Sequence, residues 1–441
     1  MVPRERAATI FRLAFPMSIA LSSTLVMSLI DLAMVRPLGS PATAAVGLSV
    51  FSHTIVLAFV LGIGPAVQGL VARRRGQGST EPRCLPLNGG LLTALIVGTP
   101  LTVLGYWLAP LLLSWLSSDP EVTRIAIPFL RTLYLSIVAS GMNVAFKGYW
   151  TGMEKPNVYM AIVLFMSFLN FCGDYLLIAG RFGAPALGAT GAALSTAISL
   201  YVGVIINAAL IYRRFRQDGF LRVKPGKSLL ARIVQLGLPA TLQEFFFAAG
   251  YLVFFGLVGQ IGTSDLAALN VVVRISLVLS ILAMSLGSAS ATLVSKTVGE
   301  GDPAGAAQWG WDSGKLGVMV ITLLALPLVI FPRTFLSIFL SDPHTISIAV
   351  IPWQLQTGLA GLASLIYIFA YTLVSVGDGN RVALVSFGTQ WLFFLPAVWF
   401  VGPHLNYGLL QISLVDAAYG ALATVLITAI WADGRWKKIT I

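Results

Sequence analysis

Apolar residues gather in runs of about twenty or more, each long enough at about 1.5 Å per helical residue to cross ~30 Å of hydrocarbon. Short polar or basic stretches separate them. The runs fall at 10–36, 45–72, 88–116, 123–149, 156–179, 188–212, 230–259, 266–297, 313–340, 346–376, 382–401 and 409–432. Segments of this length read as helices rather than barrel strands, because a helix satisfies its own backbone in lipid. Twelve transmembrane helices make this an all-α polytopic membrane protein. Several runs exceed 25 residues, which implies tilt or kinks.

The pattern is duplicated. At an offset of 223, "LAFP" (13–16) falls on "LGLP" (236–239), Gly39 on Gly262, Gly64 on Gly287, "GQG" (76–78) on "GEG" (299–301) and "SDP" (118–120) on "SDP" (341–343). Each half holds six spans and starts on the same side, so two six-helix lobes should be related by a pseudo-two-fold axis along the membrane normal. The expected domains are 1–221 and 222–441, joined by a basic, Gly- and Pro-containing linker at about 213–228.

Composition agrees with the spans: 57% of residues are hydrophobic and 10% charged, against about 25% charged in a soluble domain. The net charge of +11 would suit nucleic acid, but its placement follows the membrane. Lys and Arg number 22 on the side of the N-terminus and five on the other, with Arg274 inside the eighth span. By the positive-inside rule both termini are cytoplasmic, in the plasma (inner) membrane, and no nucleic-acid partner is expected. The basic opening, Arg4, Arg6 and Arg12, runs into a segment too long for a cleavable signal, so the first span should remain. Cys84 and Cys172 sit in unlike surroundings and the three histidines lie in loops or at a membrane edge, so no disulfide or metal framework is indicated.

Four acids lie within apolar spans: Asp31, Asp174, Glu244 and Asp416. An ionised carboxylate there costs about 2.5 to 3.5 kcal/mol on insertion scales, so each needs a partner, a proton or water. Asn170 precedes Asp174 by four residues and shares its helix face, where an amide can serve either protonation state of the acid. Ser195, Thr196 and Ser199 of the next span add hydroxyls among small residues that permit close helix approach. The second half does not repeat this chemistry, since Phe254 stands where Asp31 would map. Glu244 could pair with Arg274 one span later. Pro16, upstream of Asp31 on the first span, removes a helix hydrogen bond and permits a kink. A midplane acid in a duplicated bundle points to a secondary transporter rather than an enzyme, as no Walker loop, HExxH motif or hydrolase triad is present.

At "LAFPMSIALSSTLVMSLIDLAMVRPLGSPATAAVGLS", "LNFCGDYLLIAGRFGAPALGATGAALSTAIS" and "LGLPATLQEFFFAAGYLVFFGLVGQIGTSDLAAL", the chain resembles the multidrug and toxic compound extrusion (MATE) transporters. The acid of the first span with the Asn-x-x-x-Asp of the fifth is most similar to the DinF-type branch. This resemblance implies a V-shaped, two-lobe antiporter that exports cationic or amphipathic compounds in exchange for protons, with sodium as the alternative ion and no cofactor. It implies Asp31 as the coupling carboxylate, Asn170, Asp174 and Thr196 as its network, and a polar residue from the fourth span, for which Asn143 is the candidate ahead of Lys147. Met27 stands one turn before Asp31, where the branch often has tyrosine, and could line a cavity. A monomer is the expected state. The rival within the same architecture is a lipid-linked oligosaccharide or lipid flippase, whose anionic cargo would call for more basic residues in the cavity than Arg274 and Lys147 supply.

Overall fold

The structure is a computed structural model that describes residues 2–78 and 82–439. Among these residues there are helices and no strands. The helices are α1 (Arg4–Val35), α2 (Ser40–Leu61), α3 (Ile63–Gly76), α4 (Leu85–Leu116), α5 (Pro120–Tyr134), α6 (Ile137–Gly152), α7 (Pro156–Leu177) and α8 (Ala189–Phe215). They continue with α9 (Lys227–Gly259), α10 (Thr263–Gly299), α11 (Pro303–Ile330), α12 (Pro332–Leu336), α13 (Pro343–Ser375), α14 (Gly379–Phe387), α15 (Leu395–Trp399) and α16 (Leu409–Asp433). Eleven helical stretches are long and apolar enough to cross a membrane, and α5 with α6, bent by 43°, make the twelfth. These are the twelve spans read from the apolar runs.

Two compact units emerge from the packing: Ile19–Thr241, and Met1–Ser18 with Leu242–Ile441. The linker read at 213–228 lies within the first of these, where Asn88 of α4 ties it down. Its Nδ2 donates to the carbonyls of Gly219 and Val223, each at 3.0 Å, and its Oδ1 accepts from Leu221 N at 3.2 Å. The unit boundaries instead fall inside α1, at 18/19, and inside α9, at 241/242. Pro16 and Pro239, partners in the repeat, each stand two residues before such a boundary.

Several repeated motifs prove to be helix ends. Both "SDP" copies cap a helix: Asp119 accepts from Glu121 N at 2.8 Å, and Asp342 accepts from Thr345 N at 2.9 Å, with proline at the first helical position each time. The "GQG" and "GEG" copies stop α3 and α10, where Gly78 and Gly301 take φ of +58° and +80°, a conformation costly for any residue with a Cβ.

The first unit is built by small residues that bring backbones together. A Cβ at Gly152 of α6 would lie 2.8 Å from the Gln68 carbonyl of α3, and one at Gly148 would collide with the Gly64 carbonyl. Where α5 breaks from α6, hydroxyls from neighbouring helices accept the task of pairing freed carbonyls. Tyr201 OH donates to Leu135 O at 2.9 Å and Thr102 Oγ1 to Tyr134 O at 3.1 Å. Cys84 is buried against Tyr149 OH at 3.4 Å, and burial pushes its thiol up to about 11, so it stays protonated and inert.

In the second unit, the opening of α1 is fastened to α11. Arg6 Nη1 donates to Asp312 Oδ2 at 2.8 Å, Nη2 donates to Gln308 Oε1 at 2.9 Å, and the guanidinium lies 4.9 Å above the Trp309 ring. At the C-terminal end, Trp431 lies between Phe369 and Trp436, stacked at 5.3 Å and 4.3 Å with interplanar angles of 10°. The stretch after α14 is wound wider than an α-helix, at Gly388–Phe394 and Phe400–His404, and the side chains of Gln390 and Trp391 donate to the carbonyls of Phe247 and Phe246 on α9.

Candidate functional site

In the first unit, α7 and α8 approach closely because Gly173 carries no side chain; a Cβ there would collide with Ser195 Oγ. That approach completes the bonding of Asn170. Its Nδ2 donates to Asp174 Oδ1 and to Ser195 Oγ, both at 3.1 Å, while its Oδ1 accepts from Thr196 Oγ1 at 3.4 Å. Ser195 Oγ in turn donates to the Asn170 carbonyl at 2.7 Å. Asn170, Asp174 and Ser195 are all buried. The amide has one orientation that serves all these partners, so Asp174 Oδ1 faces a fixed donor.

From α1, the Asp31 carboxyl comes close enough to Asp174 for the two acids to act on one another. Each acid keeps one buried oxygen, Asp31 Oδ1 and Asp174 Oδ2, that no N–H or O–H reaches among the described residues. Two carboxylates offer only acceptors, so a direct bond between these acids would require a proton held by the pair. Met27, one turn back, is buried beside this stretch of α1.

The structure therefore brings Asp31, Asn170, Asp174, Ser195 and Thr196 together. Asn143 of α6 is engaged elsewhere: its Nδ2 donates to Ala139 O and Leu200 O, each at 2.9 Å, tying α6 to α8. Phe254, the counterpart of Asp31, is buried in an apolar cluster with its ring 4.9 Å from that of Phe394. The duplicated fold accommodates a hydrocarbon at this position, so the acid of α1 is not a requirement of the architecture.

The second unit holds a polar cluster that the chain did not announce. Ser276 of α10 donates to Gln356 Oε1 of α13 at 2.6 Å, and Gln356 Nε2 donates to Asp416 Oδ2 of α16. Tyr251, Tyr367 and Tyr419 lie close enough to feel the Asp416 charge, and Tyr367 and Tyr371 that of Glu244. Glu244 thus faces tyrosines, whereas Arg274 lies on the exposed side of α10. One signal was available: Gln356, Tyr367 and Tyr371 share a helix face, since eleven and fifteen residues are close to three and four turns.

Comparison with known proteins bears on both units. The MatE family pattern matches residues 16–176 and again 239–399, two copies separated by the offset of the internal repeat. The probable multidrug resistance protein NorM of Brucella suis biovar 1 (strain 1330) is 25% identical over 437 residues, covering 95% of this chain and 91% of that protein. Its namesake in Rhodopseudomonas palustris (strain ATCC BAA-98 / CGA009) is 28% identical over 413 residues, covering 90% and 85%. An outward-facing structure of a multidrug resistance MATE family transporter superposes with a TM-score of 0.89 at 19% identity, covering 98% of this chain and 96% of that one. The eukaryotic MATE transporter AtDTX14 gives 0.84 at 19% identity, covering 98% and 97%. At those identities the structures establish the fold alone. With the pattern matched across both halves and the fold shared end to end, this chain belongs to the MatE family.

Proposed function

We propose that this protein is an ion-coupled multidrug efflux antiporter of the DinF-type branch, exporting cationic or amphipathic compounds in exchange for protons carried by the Asp31 and Asp174 pair. The carrying observation is the approach of two carboxyl groups inside membrane spans, beside the Asn170 and Ser195 network. The contact lasts only while the pair holds a proton. When the proton leaves, two like charges face one another at a cost of about 4 kcal/mol for 4 Å and an effective dielectric near 20, enough to part them. Proton occupancy and the position of α1 relative to α7 are thereby linked, which is the differential affinity that drives a two-state change. Asn170 donates to Asp174 in either state, so Asp174 is the fixed partner and Asp31 the moving one. The excess of Lys and Arg on one side supports cytoplasmic termini in a plasma (inner) membrane, with protons entering as cargo leaves.

The test is transport by the purified protein in liposomes, with ethidium as a fluorescent organic cation. Ethidium movement should follow an imposed proton gradient and ignore a sodium gradient. Movement driven by sodium alone would replace the coupling ion, and flux indifferent to both gradients would describe a channel.

In this mechanism Pro16 is the hinge. α1 runs unbroken through Pro16, where the missing amide hydrogen leaves the Arg12 carbonyl without its helix donor just before the boundary at 18/19. Pro16→Ala restores that bond. It should slow ethidium export about tenfold, the effect of 1.4 kcal/mol on the conformational step, with ethidium binding unchanged. Wild-type turnover in this variant would remove the hinge from the mechanism.

A further inference from the structure

The connection between the two repeats, at 213–228, is a built structure rather than a slack tether. Gly219 takes φ of +84°, and a Cβ there would lie 2.6 Å from the Pro82 side chain. Phe220 turns into the core of the first unit and is 1% exposed. Cys84 N donates to Asp218 O at 3.1 Å, and the buried Asn88 amide binds the backbone of Gly219, Leu221 and Val223. Asn88 stands one turn into α4, a membrane span, so the loop is pinned at the level of that first turn.

This frame displays Leu221. The residue takes φ of +54°, a strained conformation for a side chain with a Cβ, yet its side chain is 67% exposed. Val223 is exposed as well. The strain is not offset by burial of the leucine within its own chain. The charges point the same way: Arg213, Arg214, Arg222, Lys224 and Lys227 are exposed. The stretch has one acid, Asp218, which is half-buried and close enough to Cys84 and Tyr149 to act on both.

From Leu221 to Lys224 the exposed side chains therefore alternate apolar and cationic, between the ends of two spans, α8 and α9. A soluble anion would meet the cations but leave the apolar pair in water. The surface of a bilayer supplies both, with phosphates outside and acyl chains beneath. An orientation signal, by contrast, needs only a count of charges, and neither the strained Leu221 nor the Asn88 clasp.

We propose that this connection is a docking surface for anionic phospholipid, with Arg222, Lys224 and Lys227 on the headgroup phosphates and Leu221 and Val223 at the acyl boundary. Docked in this way, the join between the repeats keeps a fixed depth in the membrane.

The experiment is native mass spectrometry of the full-length protein, purified in detergent, stripped of lipid, and titrated with phosphatidylglycerol or phosphatidylcholine. The wild-type protein should bind phosphatidylglycerol more tightly. The triple variant Arg222→Gln, Lys224→Gln, Lys227→Gln should lose about tenfold or more of that affinity. Lys437→Gln with Lys438→Gln, which removes exposed cations near the C-terminus, should change it by less than about twofold. Equal losses in the two variants would reduce the effect to diffuse charge, and equal binding of the two lipids by the wild type would remove it; either overturns the proposal. So would displacement of phosphatidylglycerol by millimolar inorganic phosphate, which would assign the cations to a soluble anion. Leu221→Gly separates docking from packing, because glycine adopts the left-handed conformation freely. It should weaken phosphatidylglycerol binding several-fold and leave the melting temperature in detergent unchanged or raised. Unchanged affinity, or melting lower by several degrees, would make Leu221 a packing residue and refute the docking.

Discussion

Asp31→Asn is expected to abolish proton-driven export, lowering ethidium transport in liposomes by about two orders of magnitude or more, equivalent to about 2.7 kcal/mol or more on the coupled step. The substitution preserves size and removes only the exchangeable proton. In the proposed mechanism, Asp31 and Asp174 meet through one proton and separate when it leaves. An asparagine carries permanent N–H groups, so it can donate to Asp174 at every stage of the cycle and never receives a signal to release. The variant should therefore fold, insert and still bind ethidium, but should not release protons on addition of the dye. Wild-type resistance in cells together with dye-driven proton release from correctly folded Asp31→Asn would remove the acid from the coupling step. The packing of Phe254 makes folding failure the less expected result, because the repeated architecture already holds an uncharged side chain at the corresponding position.

Trp431→Ala should cost about 3 to 5 kcal/mol of stability, the usual range for removing a buried indole. Trp431 is 2% exposed and serves as the middle plate of a three-ring stack with Phe369 and Trp436. Gly310 of α11 is shaped to it: even a methyl group there would overlap the indole. Its removal leaves a cavity between α11, α13 and the C-terminal turn Arg435–Lys438, with three elements too rigid to close it. Trp436 also loses the ring it stacks on at 4.3 Å, although its Nε1 can still donate to the backbone carbonyl of residue 431. Melting of the detergent-solubilised protein, followed by loss of the monodisperse peak, should fall by several degrees. An unchanged melting temperature would mean that the lipid-facing helices alone set stability.

Much of this architecture is legible because lipid permits few alternatives. A backbone that cannot bond to water must bond to itself, so long apolar runs give twelve spans directly. The repeat is legible where it recurs as capping chemistry, as at Asp119 and Asp342 or Gly78 and Gly301. Breaks within spans are not. The run at 123–149 reads as one helix, yet it divides after Tyr134 because Tyr201 and Thr102, from other helices, satisfy the freed carbonyls. The same holds for the wide turns at Gly388–Phe394, which no local residue marks. The linker composition identifies a connection at 213–228, but packing units depend on which neighbours a helix meets, and those divide inside α1 and α9.

At the carboxyl pair, spacing alone puts Asn170 and Asp174 on one face, and the small residues of α8 bring Ser195 and Thr196 within reach. Asn143, the candidate that the resemblance implies from the fourth span, uses its amide nitrogen to span α6 and α8 through backbone carbonyls. The Asp416 cluster was hidden for a different reason. Its members come from α9, α10, α13 and α16, and Asp416 and Gln356 are 60 positions apart in the chain. Only tertiary packing assembles them.

The two joints at Pro16 and Pro239 carry a historical implication. In both halves the opening segment of the first helix packs with one unit and the remainder with the other. An arrangement present in both copies is older than the event that joined them. The single-repeat ancestor would then have been a pair of identical chains that exchanged their leading segments, the arrangement known as a domain swap. Fusion through the stretch at 213–228 made that partnership permanent within one polypeptide and freed each copy to change alone. Phe254 opposite Asp31, and Asp416 without a counterpart acid, are the record of that divergence.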